Sequence, residues 1–311
     1  MRKPRALRPG DTIGIVAPSS PIPPDELRQG IAILEARGYR VVVGDHVRDT
    51  VEQATYLAGE DEARASDINV LFARAHIDAI FCARGGYGAM RLFNLLNRDA
   101  IASSPKIFTG YSDITSLHLV LNRWGGYVTF HGFNLSTLLS ANATSTDLFW
   151  SLIEQAEPYG ELPADPDCMR TIVPGTIEGE LAGGNLCLLA HACGSQFQPD
   201  FRSKIVLIED VNDAVYHADR YLTQLRNAGA LDEAAGFVIG SLTHWQKHEP
   251  APPRNSLEAL WRRFFGPLGK PTLCGFPFGH EPNPVTLPLG VRARLDAGAR
   301  SLSLLESATM Q

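Results

Sequence analysis

The regular alternation of short apolar runs with helix-spaced segments through the first half of the chain is the strongest constraint on its fold. Residues 12–18 (TIGIVAP) form a brief apolar run closed by proline, and residues 24–38 then place Leu27, Ile31 and Leu34 on one helical face before Gly38. Residues 39–44 (YRVVVG) read as the next strand. The acidic start of residues 59–75 reads as a helix, because carboxylates favour a helix N-terminus. Residues 77–83, 106–109 and 127–132 follow as further strands, the first two each trailed by a helix. Strands alternating with helices predict a parallel sheet covered on both faces, with ligands bound beyond the carboxyl ends of the strands.

Residues 157–175 are rich in Pro, Gly and acidic residues and carry no period. They read as a linker, dividing an N-terminal α/β domain (1–160) and a linker (161–175) from a smaller C-terminal domain (176–311). The second part restarts with TIEGELAGGNLCLLAHACG, the strand KIVLIED (204–210), the helix AVYHADRYLTQLRNAG, and the strands GFVIGSL and PTLCGF. At 311 residues and 44% hydrophobic content, two cores of this kind can be filled.

Composition also narrows the partners. A net charge of -6 argues against nucleic acid, which demands a basic face. No apolar stretch reaches the roughly 18 residues needed to span a bilayer. The apolar run IGIVA near the basic N-terminus is too short for a signal peptide and ends before Pro18. Five cysteines (82, 168, 187, 193 and 274) without C-x-x-C spacing read as buried free thiols. A soluble cytoplasmic protein is expected.

Three turns could carry chemistry. In FTGYSDIT (108–115) a strand stops at Gly110, Ser112 follows, and helical spacing begins. Serine there is an ordinary helix N-cap. It is equally a hydroxyl exposed at a strand-to-helix turn, beside backbone N–H groups able to hold an oxyanion, although the second glycine of G-x-S-x-G is missing. In ARGGYGAM (83–90) three glycines after a strand allow close backbone approach to a ligand. The dinucleotide fingerprint and the Walker lysine are both absent, which weakens a nucleotide-binding loop against a structural turn, and an oxyanion donor loop fits better. The third feature is a pair: KIVLIED ends on Glu209 and Asp210, and His280 lies in the Gly/Pro-rich GFPFGHEPNPVTLPLG (275–290). Together with Ser112 these supply nucleophile, base and orienting carboxylate. As strand neighbours Glu209 and Asp210 face opposite ways, so only one can serve, and residue physics does not choose.

The remaining histidines are weaker candidates. His244 and His248 lie four apart as in a metal-binding helix, but prolines follow and no third ligand is evident, so no metal is expected. His131 after a strand could line the cleft or pack, and His118 reads as filling.

Taken in order, APSS near the start, RGGYG (84–88), GYSD (110–113), HG (131–132), GGNL (183–186), IEDV (208–211) and GHEPNPVTLPLG (279–290) resemble the L,D-carboxypeptidases, a family that includes the microcin C immunity peptidases. The likeness runs over essentially the whole chain. It implies a serine peptidase with Ser112 as nucleophile, His280 as general base and Glu209 as the group orienting it. The backbone N–H groups of Gly86 and Asp113 would form the oxyanion hole. No cofactor is implied. The implied fold is an N-terminal α/β domain and a smaller C-terminal α/β domain with the active site at their interface, assembled as a homodimer. The implied substrate is a small peptide, the cytoplasmic murein tetrapeptide, which loses its terminal D-alanine during cell-wall recycling. The alternatives are a peptidyl- or aminoacyl-nucleotide, for which Trp245 or Phe278 could offer a platform, and a non-catalytic small-molecule binding protein. One departure is Phe133, which follows HG where relatives often carry proline.

Overall fold

The computed structural model describes residues 1–248 and 256–311. Contacts divide them into two compact units, 1–157 with 307–311, and 158–306.

The first unit begins with β1 (Thr12–Val16), α1 (Pro24–Ala36), β2 (Arg40–Val43), α2 (Asp61–Ala73) and β3 (Ala79–Cys82). It continues through α3 (Arg98–Ser103), β4 (Ile107–Gly110), α4 (Thr115–Val120), β5 (Thr129–His131), α5 (Leu135–Leu138) and α6 (Ala143–Glu154). Its strands lie in the order β5-β4-β3-β1-β2, every pair parallel, as the alternation predicts. Strands β1, β3, β4 and β5 are buried at every position, so both sheet faces are covered and the runs are apolar rather than alternating. Helix α1 starts with Pro24 and two acidic residues and buries Leu27, Gly30 and Leu34. Phe133 belongs to this core. It is fully buried with its ring edge-on to Phe149 at 5.5 Å, and Phe149 in turn meets Phe81 at 5.7 Å. The departure from proline is therefore a packing feature, worth about 1.5–3 kcal/mol of burial.

The second unit carries β6 (Gly160–Glu161), β7 (Arg170–Val173), β8 (Thr176–Asn185), α7 (Leu186–His191), β9 (Lys204–Val211), α8 (Val215–Asn227) and β10 (Gly236–Thr243). After these come α9 (Leu257–Phe265), β11 (Thr272–Cys274), β12 (Leu287–Leu289), β13 (Arg292–Asp296) and β14 (Ser301–Leu304). Among the described residues its sheet holds eight strands in the order β6-β14-β13-β8-β9-β10-β11-β7. The central neighbours β8 to β11 are parallel, and the flanking pairs are antiparallel. The chain thus has two α/β domains, one built on a parallel sheet and the other on a mixed one.

Two expectations need correcting. Residues 161–175 are not a bare linker: β7 pairs with β11, and a short helical turn spans Pro166–Cys168. The unit boundary falls after Glu157, and Ser307–Gln311 returns to the first unit, where Ala6 N–H donates to the Met310 carbonyl at 2.8 Å. The cysteines are all free, but only Cys82 and Cys274 are buried, and Cys168 is exposed. No helix among the described residues is long and apolar enough to cross a membrane.

Candidate active site

Strand β4 delivers the chain to Tyr111 and then to Ser112, which opens a short helical turn (Ser112–Ile114) running into α4. Ser112 is not an N-cap: Tyr111 takes that position and no side chain caps the turn. Its φ is +67°, a left-handed conformation rare outside glycine, so the backbone is strained where the strand turns sharply into the helix. A serine held this way presents its hydroxyl at the strand end, the arrangement of a nucleophile elbow. Gly85 lies against it. A Cβ built on Gly85 would sit 2.9 Å from Ser112 Cβ and 3.2 Å from the Tyr111 carbonyl oxygen, so only glycine lets residues 84–88 pass this close.

Buried groups fix the turn from below. His118 is fully buried, and its Nε2–H donates to the Gly110 carbonyl at 2.9 Å. Burial, with His131 nearby, pushes its pKa down to about 3, so the ring stays neutral. His131 is buried too, its ring 6.2 Å from those of Tyr111 and His118, which favours the packing role for this residue. Asp113 is 2% exposed, and one carboxylate oxygen accepts from Ser19 Oγ at 2.6 Å and from Ala89 N–H at 2.7 Å. Burial pushes this carboxyl up, against those two donors and the charge of Arg64.

In the second unit, Glu209 on β9 is 0% exposed, and its Oε2 lies 2.6 Å from His280 Nδ1. A carboxylate only accepts, so Nδ1 carries the proton and the neutral ring keeps its lone pair on Nε2. Burial lowers the His280 pKa, but the charge and hydrogen bond of Glu209 outweigh it, and the net shift is upward. Gly279 makes the pairing possible. Its φ is +87°, and a Cβ there would fall 2.3 Å from Glu209 Oε2. On the far side of the His280 loop, the Ser241 hydroxyl donates to Glu281 from an irregular step in β10.

Asp210 points the other way and serves a different purpose. It accepts from Asn185 Nδ2 at 2.9 Å, Cys187 N–H at 3.0 Å and Val211 N–H at 2.9 Å, which anchors the start of α7. Burial and the neighbouring Glu209 charge push its pKa up to about 7. The structure makes the choice that residue physics left open and that the resemblance gave to Glu209: Glu209 is the carboxylate that meets His280.

Among the described residues no group of three His, Cys, Asp or Glu side chains is placed to hold a metal ion. The side chain of His248 lies outside what the structure describes. Phe278 is fully buried, whereas Trp245 is half-buried and lines a cavity of about 440 Å³ together with Trp261 and Arg170. Sequence reasoning missed the Asp113 side chain, Ser19 and Gly279. The one available signal was the glycine directly before His280, a position at which a left-handed backbone is common.

Residues 13–132 match the LD-carboxypeptidase N-terminal domain, and residues 178–295 match the LD-carboxypeptidase C-terminal domain. A probable murein peptide carboxypeptidase of Bacillus subtilis is 35% identical over 306 residues, covering 96% of this chain and 93% of the relative. The microcin C7 self-immunity protein MccF of Escherichia coli is 26% identical over 335 residues, covering 96% and 94%. The crystal structure of muramoyltetrapeptide carboxypeptidase from Oxalobacter formigenes superposes with a TM-score of 0.79 at 29% identity, covering 94% of this chain and 97% of that one. With both domains matched in order and the similarity spanning nearly the full length, the chain belongs to the LD-carboxypeptidase (peptidase S66) family, which includes MccF-like proteins.

Proposed function

We propose that this protein is a serine-type LD-carboxypeptidase that removes the terminal D-alanine from cytoplasmic murein tetrapeptide. The observation that carries the reading is the buried Glu209–His280 pair at 2.6 Å, in a chain that also holds Ser112 in a left-handed strand-to-helix turn. His280 Nε2 takes the Ser112 proton as the hydroxyl attacks the scissile carbonyl. Glu209 fixes the ring and stabilises the imidazolium. The backbone N–H groups of Gly86 and Asp113 hold the negative oxygen, and loss of one such donor raises a barrier by about 2.7–4 kcal/mol. His280 then protonates the leaving D-alanine, and water resolves the acyl-enzyme. The reaction needs the Ser112 hydroxyl within hydrogen-bond reach of His280 Nε2. No metal or cofactor enters the scheme, and a homodimer is the assembly we expect.

The murein substrate is supported by the Bacillus relative's name and by the Oxalobacter structure. A second substrate class has a specific motive, because MccF has been solved with aspartyl sulfamoyl adenosine. An aminoacyl nucleotide needs an aromatic platform for its base. Phe278 is closed to that role by burial, which leaves Trp245. Mass spectrometry of products after incubation with each compound separates the two. We expect D-alanine from the tetrapeptide and a far slower release of the aspartyl group. The reverse preference would assign the immunity-type reaction instead.

A further inference from the structure

Residues 84–89 reach the Ser112 turn without a strand pairing to hold them there, so something else must set their distance from it. Four side chains do: Asp113, Ser19, Ser20 and Arg64. Asp113 receives Ser19 Oγ and the N–H of Ala89 on a single carboxylate oxygen, at 2.6 and 2.7 Å. Ser20, the next residue along, donates its backbone N–H to the Gly85 carbonyl at 3.2 Å. Its hydroxyl donates to the Tyr56 carbonyl at 2.7 Å and accepts from Tyr87 N–H at 3.3 Å. The guanidinium of Arg64, buried beside Gly88, donates to the Pro18 carbonyl and to Gly59 O. The residue directly after Ser112 is therefore tied to the C-terminal end of the glycine loop and, through Ser19 and Ser20, to its middle.

We propose that the Asp113 carboxylate is a positioning residue that sets the separation between the glycine loop and the Ser112 turn, and so the width of the oxyanion hole. This inference rests on the serine-hydrolase reading above and adds to it a side-chain role for a residue otherwise engaged only through its backbone N–H. The logic is geometric. Two backbone donors on different segments stabilise one oxygen only if their spacing is fixed before reaction. Hydrogen bonds to a buried ionised carboxylate are shorter and stronger than neutral ones, so they suit that task. The carboxylate touches no reacting atom.

The test compares Asp113→Ala, Asp113→Asn and Ser19→Ala with the parent, by turnover and by amide hydrogen exchange. Asparagine keeps an acceptor oxygen for both donors, whereas alanine keeps none. We expect Asp113→Ala to lower kcat by about 10²-fold or more, the scale of one lost oxyanion donor, with KM nearly unchanged. Asp113→Asn should recover most of that loss, and Ser19→Ala should fall between. Exchange should quicken in peptides covering residues 84–89 in Asp113→Ala and stay near the parent's in Asp113→Asn. A folded Asp113→Ala with parental kcat, or with raised KM at parental kcat, overturns the proposal. If Asp113→Ala does not fold, Ser19→Ala decides: lower kcat at constant KM supports the clamp, and unchanged kcat rejects it. Should the native protein turn over neither acyl substrate, the hydrolase reading fails on its own. The exchange pattern still decides the clamp, and uniform protection across all variants would reject it.

Discussion

At the residue scale, His280 carries a pH dependence whose sign follows from its surroundings. The ring must be neutral to take a proton. Glu209 outweighs burial and raises the pKa above its usual value near 6.5, so kcat/KM climbs as pH rises through that raised value. Replacing Glu209 by glutamine removes that charge and leaves burial opposed mainly by the smaller influence of the Asp210 charge. The acid limb of the Glu209→Gln profile should then move to lower pH, while the plateau falls by about 10²–10⁴-fold. Profiles of kcat/KM for both proteins check this, and an acid limb that stays in place would separate Glu209 from the titration of His280. Asp210 is no substitute for Glu209, because three N–H donors already hold it at the start of α7.

At the scale of elements, the loop that presents His280 depends on Gly279, and the strand before it depends on burial. Gly279→Ala forces a left-handed alanine, a cost of about 1–2 kcal/mol, and drives its Cβ into Glu209 Oε2. We expect turnover to fall at least tenfold and the thermal midpoint to drop by a few degrees, about 2–4 °C per kcal/mol for a domain near this size. Near-native turnover in this variant would mean that the Glu209–His280 pairing tolerates displacement. The strands that frame these loops were legible because β1, β3, β4 and β9 are short, continuous apolar runs. Helix α8 was legible because Val215, Ala218, Leu222 and Leu225 share one buried face. The hairpin β13–β14 went unread although Arg292–Asp296 alternates exposed and buried residues, the plain signature of a one-sided strand. β7 was hidden for another reason: four residues beside Pro174 carry too little pattern, and only pairing with β11 makes them a strand. The site was harder still. Ser112, Glu209 and His280 each have a bland local account, and residues far apart in sequence become a site only through the fold or through likeness to a family. The clamp at Asp113 was not legible as a contact: the motifs APSS, RGGYG and GYSD mark its segments, but its donors lie 94 residues before Asp113 and 24 before it.

At the scale of the whole molecule, the buried titratable groups predict an acid-sensitive first unit. His118 is held neutral with a pKa near 3, whereas the unfolded chain protonates the same ring near 6.5. Its contribution is therefore complete above pH 6.5 and is lost as pH falls from there toward 3. Asp210 acts in the opposite sense: its folded pKa of about 7 favours the native state at low pH and costs stability as pH rises from about 4 to 7. The two trends offset one another in the total, so the His118 part is isolated by difference. Between pH 7 and pH 5 the stability advantage of the native protein over His118→Gln should shrink by about 2 kcal/mol, measured by urea unfolding. An advantage independent of pH would show that His118 does not titrate on unfolding.

One measurement addresses the central claim, a serine nucleophile served by the Glu209–His280 pair, most directly. D-alanine release from murein tetrapeptide would be followed for the native protein and for Ser112→Ala, Glu209→Ala and His280→Ala, each verified as folded and compared at equal concentration. Because a nucleophile, its base and the group orienting that base act as a unit, each single loss should reduce turnover by about 10⁴-fold or more, and combining them should add little. A folded Ser112→Ala or Glu209→Ala protein that still releases D-alanine at a near-native rate would contradict the account.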